Sequence, residues 1–187
     1  MKILWFASYP LQKHRDLMKL FRKRSLSKCT WLHNLAIELS KITDIELHIA
    51  SYMPITPPKT YLYTDNIHFH LIKHGVPCTQ KGYPNWMPLN RLFWYFPLVN
   101  KIKKLANLIS PDIIHAHGTE TAYALAACKA GFPYIISIQG IIREIQKADP
   151  TISHYLQSKI EEYTIRNSWN FGCRTDWDQN IVLSMNP

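Results

Sequence analysis

The sequence predicts a single α/β domain of three layers, in which a doubly wound, mainly parallel sheet carries helices on both faces. Short apolar or β-branched runs alternate with helical patterns along all 187 residues. Residues 111–140 read as a strand, a glycine turn, an alanine-rich helix and a second strand, the unit that joins two parallel strands. With 47% hydrophobic and 12% aromatic residues, the chain can bury a sizeable core, which excludes a disordered chain.

Six strands are predicted. The apolar run at residues 2–7 is typical of a buried parallel strand, and residues 46–52 form the second strand. Residues 67–72 alternate with a period of two, which predicts a third. The central unit contributes a fourth strand that ends at the two histidines of His115-Ala116-His117, and a fifth at residues 134–138. Residues 169–173 form the sixth.

Helices and loops separate the first four strands. Apolar residues recur at helix spacing from Trp31 onward, and residues 92–109 repeat that pattern, with Pro97 at the start of the helix or at a kink. Prolines make residues 54–58 a loop. Residues 75–88 form a long stretch rich in glycine and proline, for which we predict no regular structure.

The second half of the chain carries three further helical patterns. Good helix formers fill residues 120–129 and end at Gly131, and Thr119 is positioned to cap this helix. A second helix opens after Pro150 and runs to about residue 167. The last one begins after Thr175, whose hydroxyl and an acidic residue three positions later form a pair like a capping box.

The chain is strongly basic, with a formal net charge of +9 when its nine histidines are neutral. Such a surface attracts an anionic partner, which can be a phosphorylated ligand, an acidic membrane or a nucleic acid. Much of the charge falls in a basic loop at residues 13–28, which also holds apolar side chains and can therefore lie on an anionic membrane or remain solvated. No nucleic-acid-binding motif appears, so nucleic acid is not the partner we predict.

Several functional classes are not supported by the motifs present. The chain has no GxGxxG or GxxxxGK pattern, so dinucleotide binding and P-loop chemistry are not predicted. Its four cysteines are far apart and form no CxxC pair, so they indicate neither a zinc site nor a disulfide framework, and a reducing cytosol fits best. No stretch approaches the roughly 20 apolar residues that span a bilayer, so we expect membrane association to be peripheral.

Polar residues beside glycines mark the candidate site. In open α/β sheets the ligand lies beyond the carboxyl ends of the strands, so the turns at His117-Gly118-Thr119 and Gln139-Gly140 should line one crevice. His117 offers a proton donor or acceptor near neutral pH. We expect His115 to be structural, with one histidine pointing into the packing of the sheet and the other toward the loop.

Two segments resemble a known family. PDIIHAHGTETAYALAACKAGFPYIISIQG, followed about thirty residues later by GCRTDWDQNIVLSMNP, is similar to the N-terminal domain of retaining GT-B glycosyltransferases of the group-one, family-four type. The resemblance implies a domain that holds the acceptor, while a C-terminal domain holds the nucleotide-sugar donor. Because this chain stops near the family's interdomain linker, we expect the donor-binding half to be absent and the chain alone to have little or no activity.

The resemblance also implies roles for individual residues. His117 would be the active-site histidine, hydrogen-bonding a sugar hydroxyl or stabilising an oxocarbenium-like transition state, with neither a metal ion nor a cofactor. The co-substrates would be a nucleotide-sugar and a glycan or lipid-linked acceptor, as in polysaccharide biosynthesis, at the cytoplasmic side of a membrane. The other substrate-binding residues would be Gly118, Thr119, Gln139, Gly140 and, at the cleft edge, Arg174.

Arg174, residues 92–96 and the function as a whole each have an alternative interpretation. Arg174 can equally form a surface salt bridge or a contact at a helix start. The apolar stretch at residues 92–96, with the lysines that follow it, can contact a membrane if its aromatic rings are exposed. The second functional hypothesis is a non-catalytic module that uses its basic surface to bind an anionic membrane or nucleic acid.

Overall fold

The computed structural model describes residues 1–11, 30–53, 59–73 and 88–187. Its seven-stranded sheet has the order β3-β4-β2-β1-β5-β6-β7, and every neighbouring pair is parallel except β3 with β4. The strands are β1 (Lys2–Phe6), β2 (Glu46–Met53), β3 (Tyr61–Thr64), β4 (Ile67–Lys73), β5 (Ile113–His117), β6 (Tyr134–Ser137) and β7 (Phe171–Gly172).

Helices cover both faces of the sheet. They are α1 (Thr30–Ser40), α2 (Leu89–Leu92), α3 (Phe96–Ile109), α4 (Tyr123–Ala130), α5 (Ile142–Ala148), α6 (Ile152–Arg166) and α7 (Asp176–Met185). One core forms where α1 packs on the odd-numbered side chains of β1, β2 and β4. The other joins α3, α4, α6 and α7 to the even-numbered side chains of β1 and β5. The predicted three-layer, doubly wound α/β class is therefore confirmed.

All six predicted strands are present, and the structure adds β3, which was not predicted. Tyr61–Thr64 pairs antiparallel with β4 through a two-residue turn, in which Asp65 and Asn66 have φ of 51° and 59°. Both values lie in the left-handed region that a tight hairpin turn requires and that Asp and Asn tolerate. We predicted only a loop here because of the prolines at residues 54–58. The β-prone residues 61–64, followed by Asp65 and Asn66, were a signal for a hairpin.

Several helix boundaries were predicted correctly. Gly131 ends α4 with φ of 85°, and Pro97 lies in the first turn of α3. The Thr175 hydroxyl accepts a hydrogen bond from the Asp178 amide and so caps α7. Thr151 caps α6 in the same way. Such a cap is a local interaction, which is why the order of residues in the chain was enough to predict the one at Thr175.

Two helix predictions were wrong or incomplete. The alanine-rich helix begins at Tyr123, and its N-cap residue Ala122 makes no side-chain cap bond, so Thr119 does not cap it. Helix α5 was not predicted. The basic loop at residues 13–28, the proline loop at 54–58 and residues 75–87 of the irregular stretch lie outside the described residues.

Candidate functional site

The turn that follows β5 depends on a glycine. Gly118 has φ of 88°, and a Cβ atom at this position would overlap the Glu120 carboxylate. Its amide donates a 2.9 Å hydrogen bond to the Ser137 carbonyl oxygen at the end of β6. The chain therefore turns sharply at the carboxyl edge of the sheet, where a side chain would not fit.

His117 is enclosed by aromatic rings at the end of β5. Its ring centroid lies 4.8 Å from that of Trp5, 5.4 Å from that of Trp31 and 3.9 Å from that of His115. Burial lowers the pKa of His117 to about 3, and the neighbouring His115 contributes to this shift. The imidazole is therefore neutral near pH 7, with one nitrogen able to donate a hydrogen bond and the other able to accept one.

Within the described parts of the chain, neither ring nitrogen of His117 has a hydrogen-bond partner, although both are buried. By contrast, His115 Nε2 lies 2.7 Å from the Ser137 hydroxyl. An unpaired buried polar atom costs about 1–3 kcal/mol, so both nitrogens favour a further hydrogen-bonding partner. His115 is thus hydrogen-bonded within the sheet, which is consistent with the structural role we expected.

The predicted orientation of the two histidines was wrong. Both side chains lie on the α1 face of the sheet, where each packs edge-on against Trp5. The physical reason is that alternation along a strand has a period of two, so residues separated by one position share a face. His115 thus forms one wall of the space around His117.

Thr119 is buried and faces α6. Its hydroxyl donates a 2.6 Å hydrogen bond to Glu161 Oε1 and lies 3.3 Å from the Gly140 carbonyl oxygen. The same carboxylate accepts hydrogen bonds from the amides of Ile142 and Arg143, each at 3.0 Å. Glu161 therefore joins the turn after β5 to the start of α5, whose first amides would otherwise lack acceptors.

Gln157 provides a second connection from α6 to the same turn. Its amide nitrogen donates to the Thr119 carbonyl oxygen at 2.7 Å, and its oxygen accepts from the Tyr95 hydroxyl at 2.6 Å. Arg91 donates to that oxygen at 3.2 Å and to the Ser153 hydroxyl at 2.7 Å. These hydrogen bonds connect the turn to α6 and to the α2–α3 segment.

The second predicted loop lies beside the first. A Cβ atom on Gly140 would lie 3.0 Å from Glu120 Oε1, so glycines border this carboxylate on two sides. The Gln139 carbonyl oxygen accepts a hydrogen bond from the exposed Arg174 guanidinium. The structure thus brings His117, Gly118, Thr119, Gln139, Gly140 and Arg174 to one edge of the sheet, as the order of the strands requires.

Glu120 is a polar group at this edge that the sequence analysis did not select. Burial raises the pKa of Glu120, and the charge of Glu161 adds to the rise, while its own amide and Arg174 oppose it. An acidic residue directly after His-Gly-Thr was the available signal. Together with His117, it can donate and accept hydrogen bonds, which is the chemistry that a polyhydroxylated ligand requires.

The family model of Glycosyltransferase Family 4 matches residues 30–186. No curated protein matches the chain. In the part of the chain that the structure describes, no helix is long and apolar enough to cross a membrane.

Three of the similar solved structures show the fold. A sucrose-phosphate synthase chain from Thermosynechococcus elongatus aligns with a TM-score of 0.56 and 7% identity, over 97% of this chain and 81% of that chain. A second structure of that enzyme aligns with a TM-score of 0.56 and 8% identity, over 89% of this chain and 40% of that chain. UDP-GlcNAc 2-epimerase from Methanocaldococcus jannaschii aligns with a TM-score of 0.51 and 14% identity, over 98% of this chain and 42% of that chain. The chain therefore spans less than half of the latter two chains.

Proposed function

The chain belongs to Glycosyltransferase Family 4, and from this premise we propose that it is the acceptor-binding half of a retaining, metal-independent glycosyltransferase. The donor would be a nucleotide-sugar and the acceptor a glycan or a lipid-linked sugar. The donor-binding half would be a second domain facing the carboxyl edge of this sheet. Neither half alone would hold both substrates in reacting geometry, so the chain by itself would have little or no activity.

The imidazole of His117, which has no hydrogen-bond partner among the described residues, is the observation that carries this proposal. A sugar hydroxyl can both donate and accept a hydrogen bond, so it can satisfy either nitrogen of a neutral imidazole. Low exposure makes such a bond stronger than it would be in water. His117 would bind a sugar hydroxyl close to the bond that is transferred, and its neutral state would avoid repelling an oxocarbenium-like transition state.

The surrounding residues would complete the acceptor side. Glu120 is positioned between two glycines, where its carboxylate can bind further hydroxyl groups. Arg174 is exposed near the Gln139 carbonyl and would interact with an anionic part of a substrate. In a retaining front-face transfer, the departing phosphate of the donor would take the acceptor proton, so no general base is required from this half.

The test is a donor assay on the complete natural product of the gene. Release of nucleotide would be measured with a panel of nucleotide-sugars for the wild type, for His117→Ala and for the control His154→Ala, whose ring contacts the Asp149 carbonyl oxygen. We expect His117→Ala to lower kcat/KM by about 100-fold or more, the usual loss when a transition-state contact is removed. Equal activity of His117→Ala and wild type, or no turnover of any donor, would contradict the proposal.

An exposed apolar surface beside the crevice favours a membrane-associated acceptor. Leu92, Phe93 and Phe96 are each more than half exposed, whereas Tyr95 between them is buried and hydrogen-bonds to Gln157. Buried Tyr95 thus holds the segment in place while its neighbours project outward. Exposed apolar clusters of this kind are typical of sites that bind proteins or membranes.

Charge selects an anionic bilayer as the occupant of this surface. Lys101, Lys103 and Lys104 follow on the exposed side of α3, and lysines next to apolar side chains favour anionic lipid headgroups. The same Gln157 contacts both Tyr95 and Thr119, so the segment and the candidate site form one structural unit. Peripheral binding would therefore present the crevice to an acceptor anchored in the membrane.

Vesicle binding tests this part of the proposal. Co-sedimentation would use vesicles of equal phosphatidylcholine and phosphatidylglycerol, with Phe93→Ser/Phe96→Ser as the variant and Leu108→Ser, an exposed apolar residue later in α3, as the control. Each inserted ring contributes about 1.5–3 kcal/mol, so we expect the variant to lose at least tenfold in affinity. Salt-sensitive binding to vesicles and oligonucleotides alike, unaffected by the variant and by His117→Ala, would favour the non-catalytic basic module instead.

A further inference from the structure

A second group of polar side chains lies at the start of β2 and β4, at the opposite end of the sheet from the crevice. The parallel register pairs His48 with His68, and Glu46 shares the face of His48 because it precedes it by two residues. Tyr61 of β3 lies opposite His70. We call these five residues the histidine cluster. They face α3, whereas His117 faces α1, so the cluster is separate from the candidate active site.

Two imidazole nitrogens of the cluster converge on one carboxylate oxygen. His48 Nε2 lies 2.9 Å from Glu46 Oε1, and His68 Nε2 lies 3.9 Å from the same oxygen. One ligand atom from each of the three residues lies within 4.8 Å of the others. The two rings are stacked with centroids 4.5 Å apart, so both nitrogens lie on the same side.

The remaining nitrogen of each ring is held by a further polar group. His48 Nδ1 lies 3.0 Å from His70 Nε2, and His68 Nδ1 lies 2.6 Å from the Tyr61 hydroxyl. In metal sites, the second ring nitrogen of a ligating histidine is typically hydrogen-bonded in this way, which orients the ring and sets its tautomer. The cluster therefore has two layers, an inner set of three ligand atoms and an outer set that directs them.

We propose that Glu46, His48 and His68 bind one divalent transition-metal ion, with Zn²⁺ the best match. Two nitrogens and one carboxylate oxygen are a common zinc ligand set, while Mg²⁺ and Ca²⁺ prefer oxygen alone. At bond lengths of about 2.1 Å, tetrahedral ligands are about 3.4 Å apart, and the two distances to Glu46 lie on either side of that value.

Solvent access fits a fourth ligand from water. The Glu46 side chain is 43% exposed and that of His68 is 25% exposed, so an ion can enter from this side. His48 is nearly buried and forms the inner wall. The ion would tie β2 to β4, the strand that carries the β3 hairpin, and would thereby stabilise this edge of the sheet.

One nearby charge opposes a cation and supplies a useful control. Lys2 pairs with Glu46 across β1 and β2, and its charge acts on both Glu46 and His48. Removing that charge should strengthen metal binding, whereas removing the carboxylate should weaken it. Lys2→Gln and Glu46→Gln thus change the same site in opposite directions.

The experiment is a titration of the chelator-treated protein with Zn²⁺ alone, in competition with a chromophoric chelator. We expect one ion per chain, an affinity at least tenfold lower in Glu46→Gln and in His68→Asn, and a similar loss in the outer-layer variant Tyr61→Phe. His154→Asn, a histidine outside the cluster, should leave the affinity unchanged, and Lys2→Gln should raise it. Circular dichroism would verify that each variant is folded.

One further result would support the metal site, and two results would overturn it. Binding of Co²⁺ with the visible absorption of a tetrahedral site, lost in His68→Asn, would support the proposal independently of affinity. Failure of the folded wild-type protein to bind Zn²⁺ at micromolar concentration would overturn it. Stoichiometric binding with the same affinity in Glu46→Gln and His68→Asn would overturn it too, because the ion would then reside elsewhere.

Discussion

Glu161 provides the sharpest test of how the candidate site is held together. Its side chain is 1% exposed and accepts hydrogen bonds from the Thr119 hydroxyl and from the amides of Ile142 and Arg143. Glu161→Ala removes both carboxylate oxygens and with them all three hydrogen bonds. Arg143 is exposed, so water can satisfy its amide, and the Thr119 hydroxyl keeps a weaker acceptor in the Gly140 carbonyl oxygen, but the Ile142 amide remains buried without an acceptor. At about 1–3 kcal/mol for the unpaired amide and about 0.5–1.5 kcal/mol for the lost Thr119 bond, the free energy of unfolding should fall by about 1.5–4.5 kcal/mol.

Urea unfolding followed by circular dichroism measures this loss as a lower midpoint at constant slope. The adjacent residue supplies a matched control, because the Glu162 carboxylate is about one-third exposed and pairs with Arg166 at 2.9 Å on the surface of α6. Glu162→Ala should cost less than about 1 kcal/mol. A loss below 1 kcal/mol for Glu161→Ala, or equal losses for the two variants, would refute the view that Glu161 joins the two loops.

Three further predictions follow from individual residues. The pKa of His117 is about 3 in the folded protein against 6.5 as its ordinary value, so its contribution to stability is present above pH 6.5 and is lost as the pH falls toward 3. By pH 5 the loss of stability from this residue amounts to about 2 kcal/mol. In His117→Asn, the difference between the urea midpoints at pH 7.5 and pH 5 should therefore be smaller than in the wild type. An unchanged difference would contradict this prediction. Gly118→Ala should cost at least about 1 kcal/mol and displace Glu120, measured by thermal unfolding, whereas Gly131→Ala, also left-handed but with open space around it, should cost less; equal losses would argue against the Glu120 contact. Thr175→Ala should lower stability by about 1 kcal/mol through loss of the α7 cap, and a neutral result would show that the cap contributes nothing.

Much of the fold could be predicted because its signals are local. The buried strand β1 is a nearly continuous apolar run, and the turn at Gly131 and the cap at Thr175 depend on neighbouring residues. The hairpin turn at Asp65 and Asn66 was missed, because a proline-rich stretch nearby outweighed a weaker signal. Thr119 is a residue type that often caps helices, but its hydroxyl instead donates a hydrogen bond to the buried Glu161 carboxylate on α6.

The candidate site was predictable only in its location. The strand-turn-helix pattern placed His117, Gly118 and the Gln139-Gly140 turn on neighbouring strands, and the structure brings these segments together. Their partners could not be predicted, because Glu161 lies 42 positions from Thr119 and the two residues meet only when α6 packs across the sheet. The roles of the selected residues in binding and catalysis stay predictions until the variants are assayed.

The histidine cluster is a second case in which contacts between residues distant in the chain could not be predicted. The expectation of no zinc site was drawn from the spacing of the cysteines, and the histidines at positions 48 and 68 are 20 residues apart in the chain. Only the parallel register of β2 and β4 makes them neighbours. A shift of that register by one residue would turn one of them to the opposite face.

The sequence by itself determined the class of fold and the family to which the chain belongs, and it predicted a candidate site at the carboxyl edge of the sheet, because periodicity and turn chemistry act over a few residues. Tertiary structure decided which polar groups are paired and which are not. It buried His117 among aromatic rings while leaving its nitrogens without partners in the described residues, and it directed Thr119 toward Glu161. Burial and pairing depend on residues distant in the chain, so only packing could set them.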